Sequence, residues 1–282
     1  CFTETFEAEI SAYESLLLAE NNLAECIKYF EPRSIVTSQQ LYPQDFFVVP
    51  SFENSRENPF KIIKESKKSC RILIRAKTGL GKSSLLKMAA VCMLNRKLGL
   101  AENKENPLDT ISKDMGVPED KFVLFIPAKM FSFCYASERY KEWTKDLIAL
   151  FFNTMWKLYP AYNFFAEQGN QRNSLLDDEP EVIYNVTQEL VEYLEYLSTT
   201  GKLVVLLDSY DEISSGELRN AYLKMLTAFN CKYCRFGEAK EVGAHVVVTS
   251  REMSDDTMQR MNRALELEDL FEISYLNSNQ RR

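Results

Sequence analysis

Short runs of apolar residues alternate along this chain with longer segments in which apolar positions recur at helical spacing. The runs are flanked by polar or turn residues and have the length of β-strands. They lie at 71–75, 122–126, 203–207, 245–248 and 270–275. Strands that alternate with helices pair in parallel through crossover connections, so this order predicts an α/β fold with a parallel sheet.

The segments between these runs predict amphipathic helices. One follows the first strand, and others are expected at about 138–158, 180–199 and 216–229. Trp143 and Trp156 share the apolar stripe of the 138–158 segment, which predicts that both are core residues. The stretch 98–120 has no strong period, so we expect a surface insertion there.

The N-terminal part differs from the rest of the chain. Residues 1–30 have apolar positions at helical spacing, and we interpret 1–45 as a helical segment and linker that precedes a domain at 46–282. The run Phe46–Val49 is followed by Pro50 and is expected to be extended, because a residue before proline is pushed away from helical geometry.

Composition narrows the class of protein. The chain has 282 residues and a formal net charge of −7, which suits one large or two modest globular domains and argues against binding nucleic acid through phosphate contacts. Its apolar runs are far shorter than the ~20 residues that cross a bilayer. The odd number of scattered cysteines, 7, indicates reduced thiols, so we expect a cytoplasmic protein with no membrane contact. The start at Cys1 suggests a piece of a longer protein.

A phosphate-binding loop is predicted directly after the first strand. The segment Ala76–Ser83 fits the pattern G-x-x-x-x-G-K-[ST] with alanine at the first position, and a helix is expected to follow it. Glycines in such a loop let several backbone N–H groups point at phosphate oxygens, and the lysine adds a full positive charge. We assign the phosphate site to Ala76, Lys77, Thr78, Gly79, Leu80, Gly81, Lys82, Ser83 and Ser84.

Acidic residues follow the third strand. Asp208 at the end of this buried run is expected to hold Mg²⁺ together with the Ser83 hydroxyl. Asp211 and Glu212 are both candidates to polarise the attacking water, and the sequence does not choose between them. The alternative is that these acids only cap the helix that follows.

A third polar segment, Thr249-Ser250-Arg251, ends the fourth strand. Carboxyl ends of parallel strands face the ligand crevice in open α/β sheets, so Arg251 is expected to sense the γ-phosphate. The alternative for Arg251 is an ion pair with a surface acid. Cys231 and Cys234 have the spacing of half a zinc site, but no second pair of ligands lies nearby in the sequence.

Together these segments resemble the NACHT-type NTPases of the STAND group, which are switch ATPases related to AAA+ proteins. The resemblance rests on Ala76–Ser83, on the spacing Asp208-x-x-Asp211-Glu212 after an apolar strand, and on Thr249-Ser250-Arg251. The family usually has glycine where Ser209 stands, and it often has an arginine after the second strand, where this chain offers Lys129.

The resemblance implies a P-loop NTPase fold, a three-layer αβα sandwich whose five-stranded parallel sheet has the order 5-1-4-3-2. The fourth strand, which precedes Arg251, would then lie between the third strand, which ends at Asp208, and the first strand, which precedes the phosphate loop. It also implies that ATP or ADP and Mg²⁺ are bound, and that helical and winged-helix segments follow in the complete protein.

The expected function is that of an ATP-binding, slowly hydrolysing switch in signalling or defence, whose nucleotide state controls self-association. Two alternatives remain open at this point. One is a metabolic P-loop kinase or motor ATPase, which needs an acceptor pocket or a fast turnover. The other is a scaffold that binds nucleotide without hydrolysing it.

Overall fold

A computed structural model of the chain describes residues 47–53, 58–97, 107–138, 140–151, 188–235 and 242–274. The predicted N-terminal segment 1–45, Phe46, Trp156 and the predicted start of the 180–199 helix lie outside these residues. All structural statements below concern the described ranges.

The five predicted strands are confirmed, with small shifts at their ends. They are β1 (Arg71–Arg75), β2 (Phe122–Pro127), β3 (Leu203–Asp208), β4 (His245–Ser250) and β5 (Asp269–Glu272). Every residue of β3 and β4 is buried, because these strands are apolar on both faces.

The strands form one sheet in which every pairing is parallel. Their order is β2-β3-β4-β1-β5. A sheet can be counted from either edge, and from the β5 edge this succession reads 5-1-4-3-2. β4 therefore lies between β1 and β3, and the strand before the phosphate loop is separated from the strand that ends in Asp208 by one strand.

Helices surround this sheet. They are α1 (Pro59–Glu65), α2 (Lys82–Lys97), α3 (Pro107–Met115), α4 (Ala128–Ala136), α5 (Gln188–Thr199), α6 (Gly216–Tyr233) and α7 (Asp255–Leu265). Short 3₁₀ helices lie at Lys141–Lys145 and Tyr210–Glu212, and residues 147–151 are helical. No helix among the described residues combines the length and apolar character needed to cross a bilayer.

The two faces of the sheet are covered by two separate apolar cores. Alternate strand residues such as Ile72 and Val204 pack with α1, α2 and α3, whereas Leu73 and Val205 pack with α4, α5, α6 and α7. This alternation follows from the period of two in a strand, which sends neighbouring side chains to opposite faces. The architecture is therefore three layers, helices on a parallel sheet on helices.

The prediction of a surface insertion at 98–120 is corrected for its described part, which packs on the core. Helix α3 occupies Pro107–Met115, and its Ile111 and Met115 are buried against the core that also holds α2. These two apolar residues lie one helical turn apart. The free energy gained by burying them offsets the entropy lost when the helix becomes ordered.

The predicted helix at 138–158 is also corrected. Lys141–Lys145 is a 3₁₀ helix, and a new helical segment begins after Asp146, whose Oδ1 accepts hydrogen bonds from the N–H groups of Ile148 (2.8 Å) and Ala149 (3.0 Å). This side-chain cap starts the second segment separately. Trp143 is buried, as predicted, and its ring stacks on Tyr140 with centroids 4.6 Å apart.

The segment before α1 lies beside the β5 edge. Residues 47–50 have no regular secondary structure, and Phe52 forms an isolated antiparallel bridge with Ile273 just beyond β5. The Phe52 ring meets Phe271 edge-on with centroids 5.4 Å apart. These contacts hold the segment before α1 next to the end of β5.

Candidate active site

The predicted site residues meet at one edge of the sheet. Because β1, β3 and β4 are parallel, their carboxyl ends lie together, and the segments that follow them share one crevice. The register places Arg75 beside Ser250, and Leu207 beside Val248. The Ala76 N–H donates to the Ser250 carbonyl at 3.2 Å, which extends this pairing into the start of the loop.

The loop between β1 and α2 has the backbone that its glycines predict. Gly79 and Gly81 both have φ of +81°, a conformation that residues with a Cβ rarely adopt. A Cβ at either position would meet no atom within 4 Å, so glycine is required here by the backbone conformation and not by crowding. Helix α2 begins at Lys82, and the N–H groups of its first turn, which have no acceptor within the helix, are available at its N-terminus.

Lys82 is folded back over this loop. Its side chain is largely buried, and Nζ donates to the carbonyl oxygens of Ala76 (2.9 Å) and Lys77 (3.3 Å). Burial lowers the pKa of Lys82, and nearby Arg251 lowers it further, whereas Asp211 and Asp208 act in the opposite direction. A cation held this way, short of water and near another cation, gains strongly from an anionic ligand.

Ser83 and Asp208 lie on opposite sides of the crevice and are joined through Ser209. The Ser83 Oγ is 3.2 Å from the Ser209 Oγ, which is itself 3.1 Å from the Asp208 Oδ1. A hydroxyl and a carboxylate are hard oxygen ligands of the kind that Mg²⁺ prefers. The donor set therefore fits this cation, with Ser83 and Asp208 as the residues that would hold it.

Thr249 fixes the position of the Asp208 carboxylate. The Thr249 hydroxyl, fully buried, donates to the Asp208 Oδ1 at 2.9 Å and accepts from the Ser209 N–H at 2.9 Å. Asp208 is itself only 5% exposed. The carboxylate is therefore held by hydrogen bonds from the ends of two neighbouring strands.

Ser209 has an uncommon backbone conformation. Its φ of 61° and ψ of 56° are left-handed, which costs a non-glycine residue about 1–2 kcal/mol. The glycine that the resembled family usually carries at this place would adopt the same conformation without that cost. Serine is compatible with the turn only because the surrounding hydrogen bonds offset the strain.

Arg251 and Asp211 form an ion pair at the mouth of the crevice. The Arg251 Nε lies 2.8 Å from the Asp211 Oδ2, and the Arg251 backbone N–H donates to the Asp211 Oδ1 at 2.9 Å. The Asp211 side chain is 18% exposed, whereas the Arg251 side chain is 54% exposed. Arg251 thus forms an ion pair with an acid, as the alternative to the sensor role expected. The acid is Asp211, which is itself a residue of the candidate site.

The structure distinguishes the two candidate bases by their surroundings. Asp211 uses both carboxylate oxygens on Arg251, whereas the Glu212 side chain is exposed at the end of the 3₁₀ helix Tyr210–Glu212. Lys129, the residue after β2 to which the resemblance drew attention, is exposed on the first turn of α4.

An open groove continues from the loop towards β5. It has a volume of about 150 Å³, and its walls include Ala76, Lys77, Leu80, Glu53 and Ile273. Arg75 and Glu272 form an ion pair across the ends of β1 and β5 in the same wall. The groove is therefore formed jointly by the predicted phosphate loop, the segment before α1 and the end of β5.

Cys231 and Cys234 do not form part of a larger ligand cluster within the described ranges. Cys231 is exposed and Cys234 is buried at the end of α6, and no group of three or more His, Cys, Asp and Glu side chains that could hold a metal is found among the described residues.

Two residues of this network were not assigned a role from the sequence. Neither Thr249 nor Ser209 carries a charge, and although both lie within the segments that carry the resemblance, neither side chain was given a function. The available signals were a threonine after three valines near the end of a buried strand, and a serine directly after the strand-ending aspartate. Both become important only because β3 and β4 are neighbours in the sheet.

No model of a known protein family matches this chain, and no curated protein matches it significantly.

Proposed function

We propose that this chain is an ATP-binding switch domain of the STAND type, with a P-loop NTPase fold and slow hydrolysis. The observation that carries the proposal is the bridge from Ser83 through Ser209 to Asp208, with oxygen–oxygen distances of 3.2 Å and 3.1 Å. It brings the end of the predicted phosphate loop and the predicted metal carboxylate to one point, although they are 125 residues apart in the sequence (208 − 83).

Phosphate binding would be performed by the loop and the start of α2. The N–H groups that the glycine conformations turn inward, together with the helix N-terminus, suit the oxygens of a polyphosphate. Lys82 would exchange its bonds to the Ala76 and Lys77 carbonyls for bonds to phosphate oxygens. The open groove beside Lys77 and Leu80 lies next to this loop, and the rest of the nucleotide would extend along it.

The remaining residues would act on the γ-phosphate and its attacking water. Mg²⁺ held by Ser83 and Asp208 supplies charge neutralisation at the β- and γ-phosphate oxygens. Glu212, whose carboxylate is exposed, would orient the water and accept its proton. Arg251 would contact the γ-phosphate, and the negative charge of that phosphate would compete with Asp211 for the guanidinium.

The switch follows from the difference between the two nucleotides. A γ-phosphate attracts Arg251 and ADP does not, so ATP and ADP favour different positions of the segment after β4. In the proposed function this difference controls self-association.

Nucleotide binding is the first test. Calorimetry of the chain with ATP and Mg²⁺ should give saturable binding, and Lys82→Ala should weaken it by about 10- to 100-fold because a charge-assisted bond to phosphate is lost. Lys224→Ala is a matched control, since Lys224 is an exposed lysine on α6. Unchanged ATP binding by Lys82→Ala would refute the phosphate site.

Turnover and self-association separate the switch from its alternatives. A switch should hydrolyse ATP slowly, retain ADP through purification and change its mass in light scattering between ATP and ADP. Fast turnover or phosphorylation of an added small molecule would favour a metabolic enzyme instead. Binding of ATP with neither hydrolysis nor any effect on mass would favour a scaffold.

A further inference from the structure

Ser209 has three unusual features at the centre of the candidate site. Its backbone is left-handed, it is only 6% exposed, and its hydroxyl lies between the two side chains that would hold the metal. Residues in such conformations persist only where the surroundings hold them, and they are concentrated at functional sites. The conformation therefore points to a role for this side chain.

The spacing of the oxygens suggests what that role is. Mg²⁺ binds oxygen ligands at about 2.0–2.1 Å in an octahedron, so neighbouring ligands lie about 3.0 Å apart. The Ser83 Oγ and Ser209 Oγ are 3.2 Å apart, and the Ser209 Oγ and Asp208 Oδ1 are 3.1 Å apart. The three oxygens thus have the separation of successive ligands of one small cation, which is also the separation of the hydrogen bonds that join them here.

The backbone of Ser209 is anchored independently of its hydroxyl. Its N–H donates to the buried Thr249 hydroxyl at 2.9 Å, which also donates to Asp208. The hydroxyl can therefore exchange its hydrogen bonds for a bond to a cation while the backbone and the Asp208 carboxylate keep their positions. Glycine in the same conformation would leave that place to a water molecule.

We propose that the Ser209 hydroxyl is a third protein oxygen of the Mg²⁺ site, beside Ser83 and Asp208. This inference rests on the proposed function, because the cation enters with the nucleotide. Its consequence is a tighter coupling between Mg²⁺ and nucleotide than the same site would have with glycine after the strand-ending aspartate.

The test measures this coupling as the dissociation constant for ATP in EDTA divided by the dissociation constant for ATP in excess Mg²⁺. A large ratio means that Mg²⁺ strengthens ATP binding strongly. Ser209→Gly removes the hydroxyl and tolerates the positive φ. The ratio should fall by about tenfold relative to the unmodified chain, as losses of metal-site partners typically do. The dissociation constant in EDTA should stay within about twofold, because the phosphate loop is untouched.

Two further variants complete the design. Ser209→Ala also lacks the hydroxyl but keeps the Cβ, so it should lower the ratio to the same extent and replaces the glycine variant if that one fails to fold. Ser198→Ala is the control for loss of a buried serine hydroxyl, since Ser198 on α5 is fully buried and bonds the Leu194 carbonyl away from the site. It should leave the ratio unchanged.

The outcomes are distinguishable from failure of the proposed function. If the unmodified chain binds ATP in neither buffer, the proposed function fails and this inference with it. If it binds ATP but the ratio is the same in Ser209→Gly, only the role of the hydroxyl is overturned. A higher ratio in both hydroxyl-free variants would also overturn it, because the hydroxyl would then be hindering the metal.

Discussion

Asp211 holds Arg251 through both of its carboxylate oxygens. One oxygen lies 2.8 Å from the guanidinium Nε and the other accepts from the Arg251 backbone N–H at 2.9 Å. The pair joins the segment after β3 to the segment after β4, beside the predicted phosphate loop. A γ-phosphate that draws on Arg251 must therefore compete with a carboxylate already in place, and this competition is where ATP and ADP would differ.

Removing the charge of Asp211 should favour ATP. In Asp211→Asn the amide oxygen can still accept from the Arg251 N–H, but the guanidinium is no longer held by an anion. We expect ATP to bind about three- to tenfold more tightly, with little change for ADP, because less competition and less repulsion act on the γ-phosphate. Calorimetry with both nucleotides measures this difference.

A matched ion pair on α7 serves as the control for this substitution. Arg260 Nε lies 2.9 Å from the Asp256 Oδ2 one helical turn away, and both side chains are exposed. Asp256→Asn should leave both nucleotide affinities unchanged. Weaker ATP binding in Asp211→Asn would show that Asp211 positions Arg251 for phosphate and does not restrain it.

Glu212 is expected to act in hydrolysis and not in binding. Its side chain is exposed while Asp211 is occupied with Arg251, so Glu212→Gln should lower the rate of ATP hydrolysis by about 100-fold and leave ATP affinity nearly unchanged. Single-turnover hydrolysis together with calorimetry separates the two effects. Glu217→Gln, at an exposed glutamate in the first turn of α6, should change neither. Undiminished turnover in Glu212→Gln would show that Glu212 is not the base, and Asp211 would then be the remaining candidate.

The central strands and the glycine-containing loop between β1 and α2 were predictable because their signals are local. An unbroken apolar run such as Leu203–Leu207 identifies a buried strand without knowledge of its neighbours. The glycines at 79 and 81 identify a loop because few other residues adopt their backbone conformation. Both signals can be obtained from fewer than ten consecutive residues.

Helix α7 was not predicted, although its signals are present in the sequence. Ser254 caps its N-terminus by accepting from the Thr257 N–H, two aspartates follow in the first turn, and Met261 and Leu265 are buried one turn apart. Most residues of α7 are charged or polar, so the narrow apolar stripe is difficult to recognise in the sequence. Only the cap and the spacing together would have revealed it.

The hydrogen bonds around Asp208 depend on contacts between distant parts of the chain. Thr249 and Asp208 are 41 residues apart (249 − 208), and Ser83 is further still. The local segments that contain Thr249 and Ser209 do not show what the two hydroxyl groups bond, because that depends on which strands are neighbours. Sequence reasoning therefore named charged candidates such as Asp208 and did not identify the hydroxyl groups that hydrogen-bond to it.

Thr249 should be essential for the geometry of the Asp208 carboxylate. Thr249→Val keeps the shape of the side chain but leaves the Ser209 N–H and the Asp208 Oδ1 without this partner. We expect a loss of about 1–3 kcal/mol in the free energy of unfolding, measured by denaturant titration, and weaker binding of ATP in Mg²⁺.

Two substitutions make the Thr249 result specific. Thr249→Ser restores the hydroxyl and should recover most of the stability and the ATP affinity. Thr227→Val removes an exposed hydroxyl that bonds only the Leu223 carbonyl within α6, so it should cost much less. If Thr249→Val were as stable as the unmodified chain, the hydroxyl could not be fixing Asp208.

His245 at the opposite end of β4 should make the fold sensitive to acid. The ring is 1% exposed, its Nδ1 accepts from the Cys70 N–H at 3.2 Å, and its Nε2 lies 3.1 Å from the Gly201 carbonyl. The neutral ring suits this arrangement, because an acceptor at Nδ1 must be unprotonated. Burial first, and then nearby Lys121, lower the pKa of His245 to about 4, although the Gly201 hydrogen bond and Asp120 act in the opposite direction.

The sign of the pH effect follows from this lowered pKa. Between about pH 6.5 and about pH 4 the unfolded chain binds a proton at His245 and the folded chain does not, so the free energy of unfolding falls as the pH falls through this range. The full loss amounts to about 3 kcal/mol. Denaturant titrations of the unmodified chain and of His245→Gln at several pH values measure it, because the difference between their slopes isolates this residue from the carboxylates that titrate nearby. Parallel slopes for the two proteins over this range would mean that His245 takes up its proton equally well in the folded state.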